Sequence, residues 1–190
     1  MNFKSNALKI AKMAMLVAVS IVLVLLIHFP IFPMVPFLEY DPADIPILIG
    51  GLAFGPVVGG ILTIVTAVIQ GVTVSAGSGI YGIIMHVIAT LALVLTSSII
   101  YNSKKNKKRA IIGLACGCGA MVLLMFFANM WITPVFMGVP LAELMKLMIF
   151  ILLFNLIKAV VNSAVTFILY KKISPFLHKD QTQPKSIDKK

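Results

Sequence analysis

Five long apolar runs, at about residues 13–29, 45–74, 81–101, 110–132 and 147–170, take up most of this 190-residue chain. A helix needs about 20 apolar residues to cross a bilayer, so runs of this length leave room for membrane spans and short connections but for no sizeable extramembrane domain. Sixty per cent of the residues are hydrophobic and 12% charged, against roughly 45–50% and 25% in soluble domains. An ordinary soluble domain is excluded.

The charges define the topology. Sixteen Lys and Arg against six Asp and Glu give a formal charge of +10, which in a soluble chain would raise nucleic-acid binding first. Here 14 of the 16 cations fall in three short segments beside the apolar runs: Lys4, Lys9 and Lys12; Lys104, Lys105, Lys107, Lys108 and Arg109; and Lys171, Lys172, Lys179, Lys185, Lys189 and Lys190. Basic residues clustered in this way mark the cytoplasmic side, and no nucleic-acid partner is implied. Five spans would put the most basic loop outside and the two ends on opposite sides. One run must therefore be double.

The run 45–74 is that candidate, being too long for one span and interrupted by Gly50, Gly51, Gly55, Pro56, Gly59 and Gly60. A break at Gly55-Pro56 makes two short helices. The first, at about 42–54, rises roughly 20 Å, less than the hydrocarbon thickness of about 30 Å. The loop before it must then dip into the membrane region, beside protein or a polar cavity. The expectation is an all-α membrane protein with six transmembrane helices and both termini cytoplasmic. Residues 1–174 form the bundle and residues 175–190 a disordered basic tail. Outer connections fall at 30–41, 75–79 and 133–141, and the main inner loop at 104–109. The first apolar run reads as a retained span, since it ends in His28-Phe29-Pro30 without a small-x-small cleavage site. Cys116 and Cys118 read as helix packing, with no metal site.

Two lysines, Lys146 and Lys158, remain outside the basic clusters. Lys158 lies about 17 Å along the helix axis from either end of the last run, too deep to snorkel. A charge there costs about 2.5–3.5 kcal/mol on insertion scales and so faces the bundle interior, with a partner or a ligand. Asn155, Lys158, Asn162 and Thr166 follow spacings of 3, 4 and 4 and share its face. Asn129, near the outer end of the fifth helix, is either a helix-to-helix hydrogen bond or a ligand contact, with Trp131 either an interfacial anchor or an aromatic cover. An amide at a ligand suits a heterocycle that alternates carbonyl and N–H groups.

In Glu39-Tyr40-Asp41-Pro42-Ala43-Asp44, Asp41 fits an N-cap, Pro42 the first helical position and Asp44 the third. Glu39 and Tyr40 have no such duty and suit a lid over an outer cavity. Asp44 is counted with them as substrate-facing. Ser78 and Tyr81, at the start of the fourth helix, offer a turn or a ligand contact. His86 reads as a hydrogen-bonded interior residue. No serine-protease pattern surrounds Ser78, and no G-x-x-x-x-G-K-[ST] loop is present to drive ATP-dependent transport, so neither enzyme nor ATPase is indicated.

The motifs together resemble those of the substrate-binding S components of energy-coupling factor (ECF) transporters, in particular the riboflavin-specific type. The resemblance rests on Met15-Leu16-Val17-Ala18, Asp41-Pro42-Ala43-Asp44-Ile45-Pro46 with Phe54-Gly55-Pro56, Ala128-Asn129 with Thr133-Pro134, Phe136-Met137-Gly138-Val139-Pro140 and Phe154-Asn155-Leu156-Ile157-Lys158. It implies a six-helix bundle that captures riboflavin from outside as a transported ligand, with no cofactor. It also implies partnership with an EcfT-type membrane scaffold and two EcfA-type cytoplasmic ATPases. It assigns Ala14 and Ala18 to docking on the scaffold, Asn129 and Lys158 to the polar edge of the flavin, and Asn155 to a second polar position of the family beside them. Rival expectations are an S component for thiamine, biotin or a pantothenate-like vitamin, a self-sufficient secondary transporter using Lys158 as a charge relay, and a structural subunit without a ligand.

Overall fold

The computed structural model describes residues 3–178. Among the described residues there are six α-helices: α1 (Phe3–Leu26), α2 (Asp44–Phe54), α3 (Pro56–Val72), α4 (Gly79–Ser103), α5 (Lys107–Met137) and α6 (Leu141–His178). Between α1 and α2 the chain makes two short strands, β1 (Phe29–Pro30) and β2 (Glu39–Tyr40), paired antiparallel with Phe29 opposite Tyr40. A single 3-10 turn at Ala76–Ser78 precedes α4. Helices α1, α4, α5 and α6 are long and apolar enough to cross a bilayer, while α2 and α3 have 11 and 17 residues.

The double run divides where its chemistry requires. Gly55 has φ 100°, a conformation that side-chain-bearing residues rarely adopt, and Pro56 opens α3 at a position where its missing N–H costs nothing. Helix α2 is buried from Asp44 to Ala53 and packs against α1, α3, α4 and α6, so it is the hub of the bundle. A helix apolar on all sides suits such a place. Close approach depends on two glycines: a Cβ on Gly59 would lie 2.5 Å from Val94 Cγ1 and 3.0 Å from the Gly51 Cα. Leu48, Leu52, Leu62, Leu93, Val94 and Met121 fill the core around this contact. Outward faces carry Val57, Ile64, Leu123, Ile149 and Ile168, as a lipid-facing surface requires.

Several expected boundaries shift. Helix α2 starts at Asp44, with Ala43 in the capping place and no side-chain cap, so Asp41 is not its N-cap. The expected connection at 133–141 shrinks to three residues. Pro134 sits inside α5, and the helix ends at Gly138, whose φ of 65° lets its N–H donate to the Pro134 carbonyl. The inner loop is likewise only 104–106, because Asn106 caps α5 by accepting from the Arg109 N–H at 2.8 Å. Helix α6 continues through Lys171 and Lys172 to His178. The expected disordered tail therefore does not begin at 175, because residues 175–178 are still helix, and the remainder, 179–190, lies outside the described residues.

Residues 30–41 pack into the mouth of the bundle. Val35 is completely buried against Leu144, Met148 and Ile151 of α6, with Phe32 and Phe37 beside it. Val35 is the one fully buried residue of 30–40: Phe32, Phe37 and Leu38 are half-buried beneath the segment, while Pro30, Pro33 and Pro36 stand exposed on its outer side and stiffen it.

Candidate functional site

The polar face of α6 meets the buried start of α2. Lys158 Nζ lies 2.8 Å from Asp41 Oδ2, and both side chains are more than nine-tenths buried. The same Asp41 oxygen accepts from Gln70 Nε2 of α3 at 3.4 Å, while Oδ1 accepts from the Ala43 N–H at 3.1 Å. Asp41 therefore shapes the turn into α2 and serves as the counter-ion of Lys158. Asp44, wholly buried, accepts from Thr90 Oγ1 at 2.6 Å and from Asn162 Nδ2 at 3.0 Å. Asn162 also donates to the Asp41 backbone carbonyl at 3.3 Å and accepts from the Tyr40 hydroxyl at 2.9 Å. Two carboxylates, one ammonium and four neutral side-chain donors thus tie α6 to α2, α3, α4 and the loop above them. A buried ion pair tolerates such a place only when its remaining lone pairs are met in this way.

Two adjoining cavities lie beneath the loop, which roofs both through Phe37 and Leu38. The larger, about 130 Å³, is bordered by Asp41, Gln70, His86, Asn155 and Lys158, with Glu39 and Ser78 also on its wall. The smaller, about 80 Å³, is bordered by Asn129, Thr133, Tyr81, Phe136 and Ser78. Gln70 Oε1 and His86 Nε2, on two residues that line the larger cavity, are buried without a hydrogen bond, although His86 Nε2 lies 3.9 Å from Asp44 Oδ1. An orphan buried polar atom carries a desolvation cost of about 1–3 kcal/mol, which a ligand group would relieve. The cavity offers an ammonium, an amide oxygen and an imidazole nitrogen, so it can read a ligand edge bearing both donors and acceptors.

The expected residues sort unevenly. Lys158 and Asn155 border the larger cavity, where Asn155 donates to the Ile151 carbonyl at 2.8 Å and keeps its oxygen available. Asn129 borders the smaller one; its amide donates to Met125 O at 2.7 Å and its oxygen accepts from Thr133 Oγ1 at 2.8 Å. These three residues are thus divided between two chambers with common walls. Ser78 borders both, and Tyr81 meets Phe136 at 5.7 Å in a tilted pair, 52° between ring planes, on the wall of the smaller. Glu39 stands exposed at the rim of the larger. Tyr40 and Asp44 border neither cavity and act instead as struts of the network. Trp131 is a correction to the substrate-facing set: it is 78% exposed and borders neither cavity, because residues two apart on a helix point to opposite sides. The anchor reading of Trp131 fits its position.

Ala14 and Ala18 are exposed with Ala7 and Ala11, whereas Leu16, Ser20 and Val24 form the buried face of α1. The small-residue strip therefore points away from the bundle. Asp41, Gln70, His86 and Thr90 are the site residues that sequence reasoning missed or assigned elsewhere. One signal pointed to Asp41: a lysine so deep needs a carboxylate, and only four of the six acids lie outside the basic tail.

Comparison with known proteins agrees with this architecture. Residues 8–170 match the family model described as ECF transporter, substrate-specific component. The chain is 30% identical to the riboflavin transporter RibU of Staphylococcus aureus (strain TCH60), covering 93% of this chain and 95% of that protein. It is 28% identical to the riboflavin transporter FmnP of Bacillus subtilis (strain 168), covering 92% and 96% respectively. A solved S component of a bacterial ECF transporter superposes with a TM-score of 0.80 at 27% identity, covering 90% of this chain and 98% of that one.

Proposed function

From the premise that this chain belongs to the substrate-specific components of ECF transporters, we propose that it is the riboflavin-binding subunit of such an importer. It is a multi-pass protein of the prokaryotic cell membrane and a transporter subunit, not an enzyme. Both curated relatives are riboflavin transporters and align over nearly their full length, which supports the same ligand here.

The observation that carries the reading is the larger cavity, where Lys158 and Asn155 stand beside the unpartnered Gln70 Oε1 and His86 Nε2. The pyrimidine edge of a flavin alternates ring carbonyls with N–H groups, and those four side chains supply complementary donors and acceptors. Lys158 donates to a ring carbonyl while Asp41 continues to balance its charge. The aromatic pair of Tyr81 and Phe136 and the apolar walls shared with the smaller cavity receive the rings. Dry surroundings strengthen each polar contact and penalise a ligand that leaves one unmet.

Pockets for ligands of this size hold about 300–1,000 Å³. The two cavities, about 130 and 80 Å³, join on binding as the 30–41 roof shifts. The roof end faces outward and the lysine-rich end inward, with α2 and α3 together making the hairpin that brings the chain to six crossings. The exposed strip containing Ala14 and Ala18 docks the EcfT-type scaffold, and two EcfA-type ATPases drive the reorientation that releases the vitamin inside.

The test is the absorption spectrum of the purified chain. A visible flavin band that exchanges with added riboflavin, and does not exchange with thiamine or biotin, is the expected result. A colourless chain that takes up no riboflavin, or counterflow by the isolated chain driven by a proton gradient, overturns the reading.

A further inference from the structure

At the end of the bundle opposite the roof lies a third cavity, of about 360 Å³, that the vitamin site does not use. Its wall combines Lys105 and Lys107 with Lys171, and its floor is Leu52, Phe167 and the rings of Tyr101 and Tyr170. The two tyrosines meet edge to face at 5.7 Å. Around it the chain gathers Lys104, Lys105, Lys107, Lys108, Arg109, Lys171 and Lys172, and all four acids of the described residues, Glu39, Asp41, Asp44 and Glu143, lie elsewhere. Along α6, Lys171 stands about 20 Å beyond Lys158 and its partner Asp41. Helix α5 also opens with Lys107, Lys108 and Arg109 and has no acid in its first turn. That end of a helix is already positive, so three cations there repel both the dipole and one another. The segment after His178 carries four lysines and two aspartates and is itself net basic.

We infer that this cavity is a binding site for the headgroup of an anionic phospholipid, with the phosphodiester held by Lys105, Lys107 and Lys171 and the glycerol and upper acyl carbons lying on Leu52, Phe167 and the tyrosine rings. A free phosphate would use the lysines and leave the apolar floor without a role. A lipid uses both, and basic pockets between helices at a membrane surface suit such headgroups. The cytoplasmic placement of this end rests on the functional reading above. Lipid preference is measured on the isolated chain, so it holds or fails independently of riboflavin binding.

The experiment titrates the delipidated chain in detergent with dioleoyl phosphatidylglycerol, dioleoyl phosphatidylcholine or inorganic phosphate, and counts bound lipid by native mass spectrometry. The wild type is expected to retain phosphatidylglycerol over phosphatidylcholine, and K105Q/K107Q/K171Q to lose that preference by roughly tenfold to a hundredfold. The arginine counterpart K105R/K107R/K171R keeps the preference. An unchanged thermal unfolding curve by circular dichroism verifies the fold of the glutamine variant. If that variant does not fold, displacement of bound lipid from wild type by dihexanoyl phosphatidylglycerol, but not by dihexanoyl phosphatidylcholine, reads the same preference. Equal retention of the two lipids overturns the inference. So does displacement of phosphatidylglycerol by equimolar inorganic phosphate, or a glutamine variant that keeps its lipid preference and fails only to assemble with partner subunits.

Discussion

The two ends of this bundle handle charge in opposite ways. Beneath the roof, Lys158 is neutralised by Asp41, and Asp44 is met by Thr90 and Asn162, all inside the protein. At the lysine-rich end seven cations crowd around a cavity with no carboxylate among its lining residues. The first end is closed on itself and strong because it is dry. The second depends on counter-ions from outside and is weakened by salt. A ligand that enters the first must compete with bonds already made, whereas one that reaches the second meets lysines with no carboxylate among the described lining residues.

The largest way to break this contrast is to open the internal pair. Lys158→Met leaves Asp41 buried without its cation and is expected to cost about 3–5 kcal/mol of stability, along with tight riboflavin binding. Adding Asp41→Asn should restore most of the stability and none of the binding. Thermal unfolding and absorbance titration of the two variants separate these effects; tight binding by the double variant would remove Lys158 from the site. Next in size, Asn162→Ala leaves the Tyr40 hydroxyl and one Asp44 oxygen unmet, for about 1–3 kcal/mol. It should raise hydrogen exchange around 39–44 more than at the helix ends. A smaller effect separates the ends by salt alone. In 1 M salt the Debye length falls to about 3 Å, so phosphatidylglycerol retention should drop roughly tenfold or more, while riboflavin affinity changes by less than about twofold. Smallest of all, Trp131→Ala should alter stability by no more than about 0.5 kcal/mol and leave riboflavin affinity unchanged. A marked loss of affinity would return Trp131 to the binding site.

Those features that were local in sequence were legible. The Gly55-Pro56 break could be read because few residues other than glycine take the turn and proline opens a helix readily. The depth of Lys158 could be read because an apolar run has a known rise per residue. Its partner could not, since Asp41 lies 117 positions away and the local pattern Asp-Pro-Ala-Asp offered a sufficient explanation as a cap. Trp131 was misassigned because closeness in sequence to Asn129 is not closeness in space on a helix. The ends of α5 and α6 were drawn short because Pro134 and Lys171 interrupt an apolar run without interrupting the helix that carries it. The division of Asn129 from Lys158 between two chambers follows from the packing of Phe37, Leu38 and Met85 between them, which no single segment encodes.

The hub helix has a consequence for how the protein is made. Helix α2 carries Asp44 at its start and Asp41 just before it, and it leaves the ribosome long before α6. Until Lys158 and Asn162 have been synthesised, those carboxylates lack the partners that make their burial tolerable. The long helices can enter the bilayer one at a time, whereas the Lys158–Asp41 pair can close only after α6 has been made. The charge balance at the centre of the molecule is therefore the last to be completed.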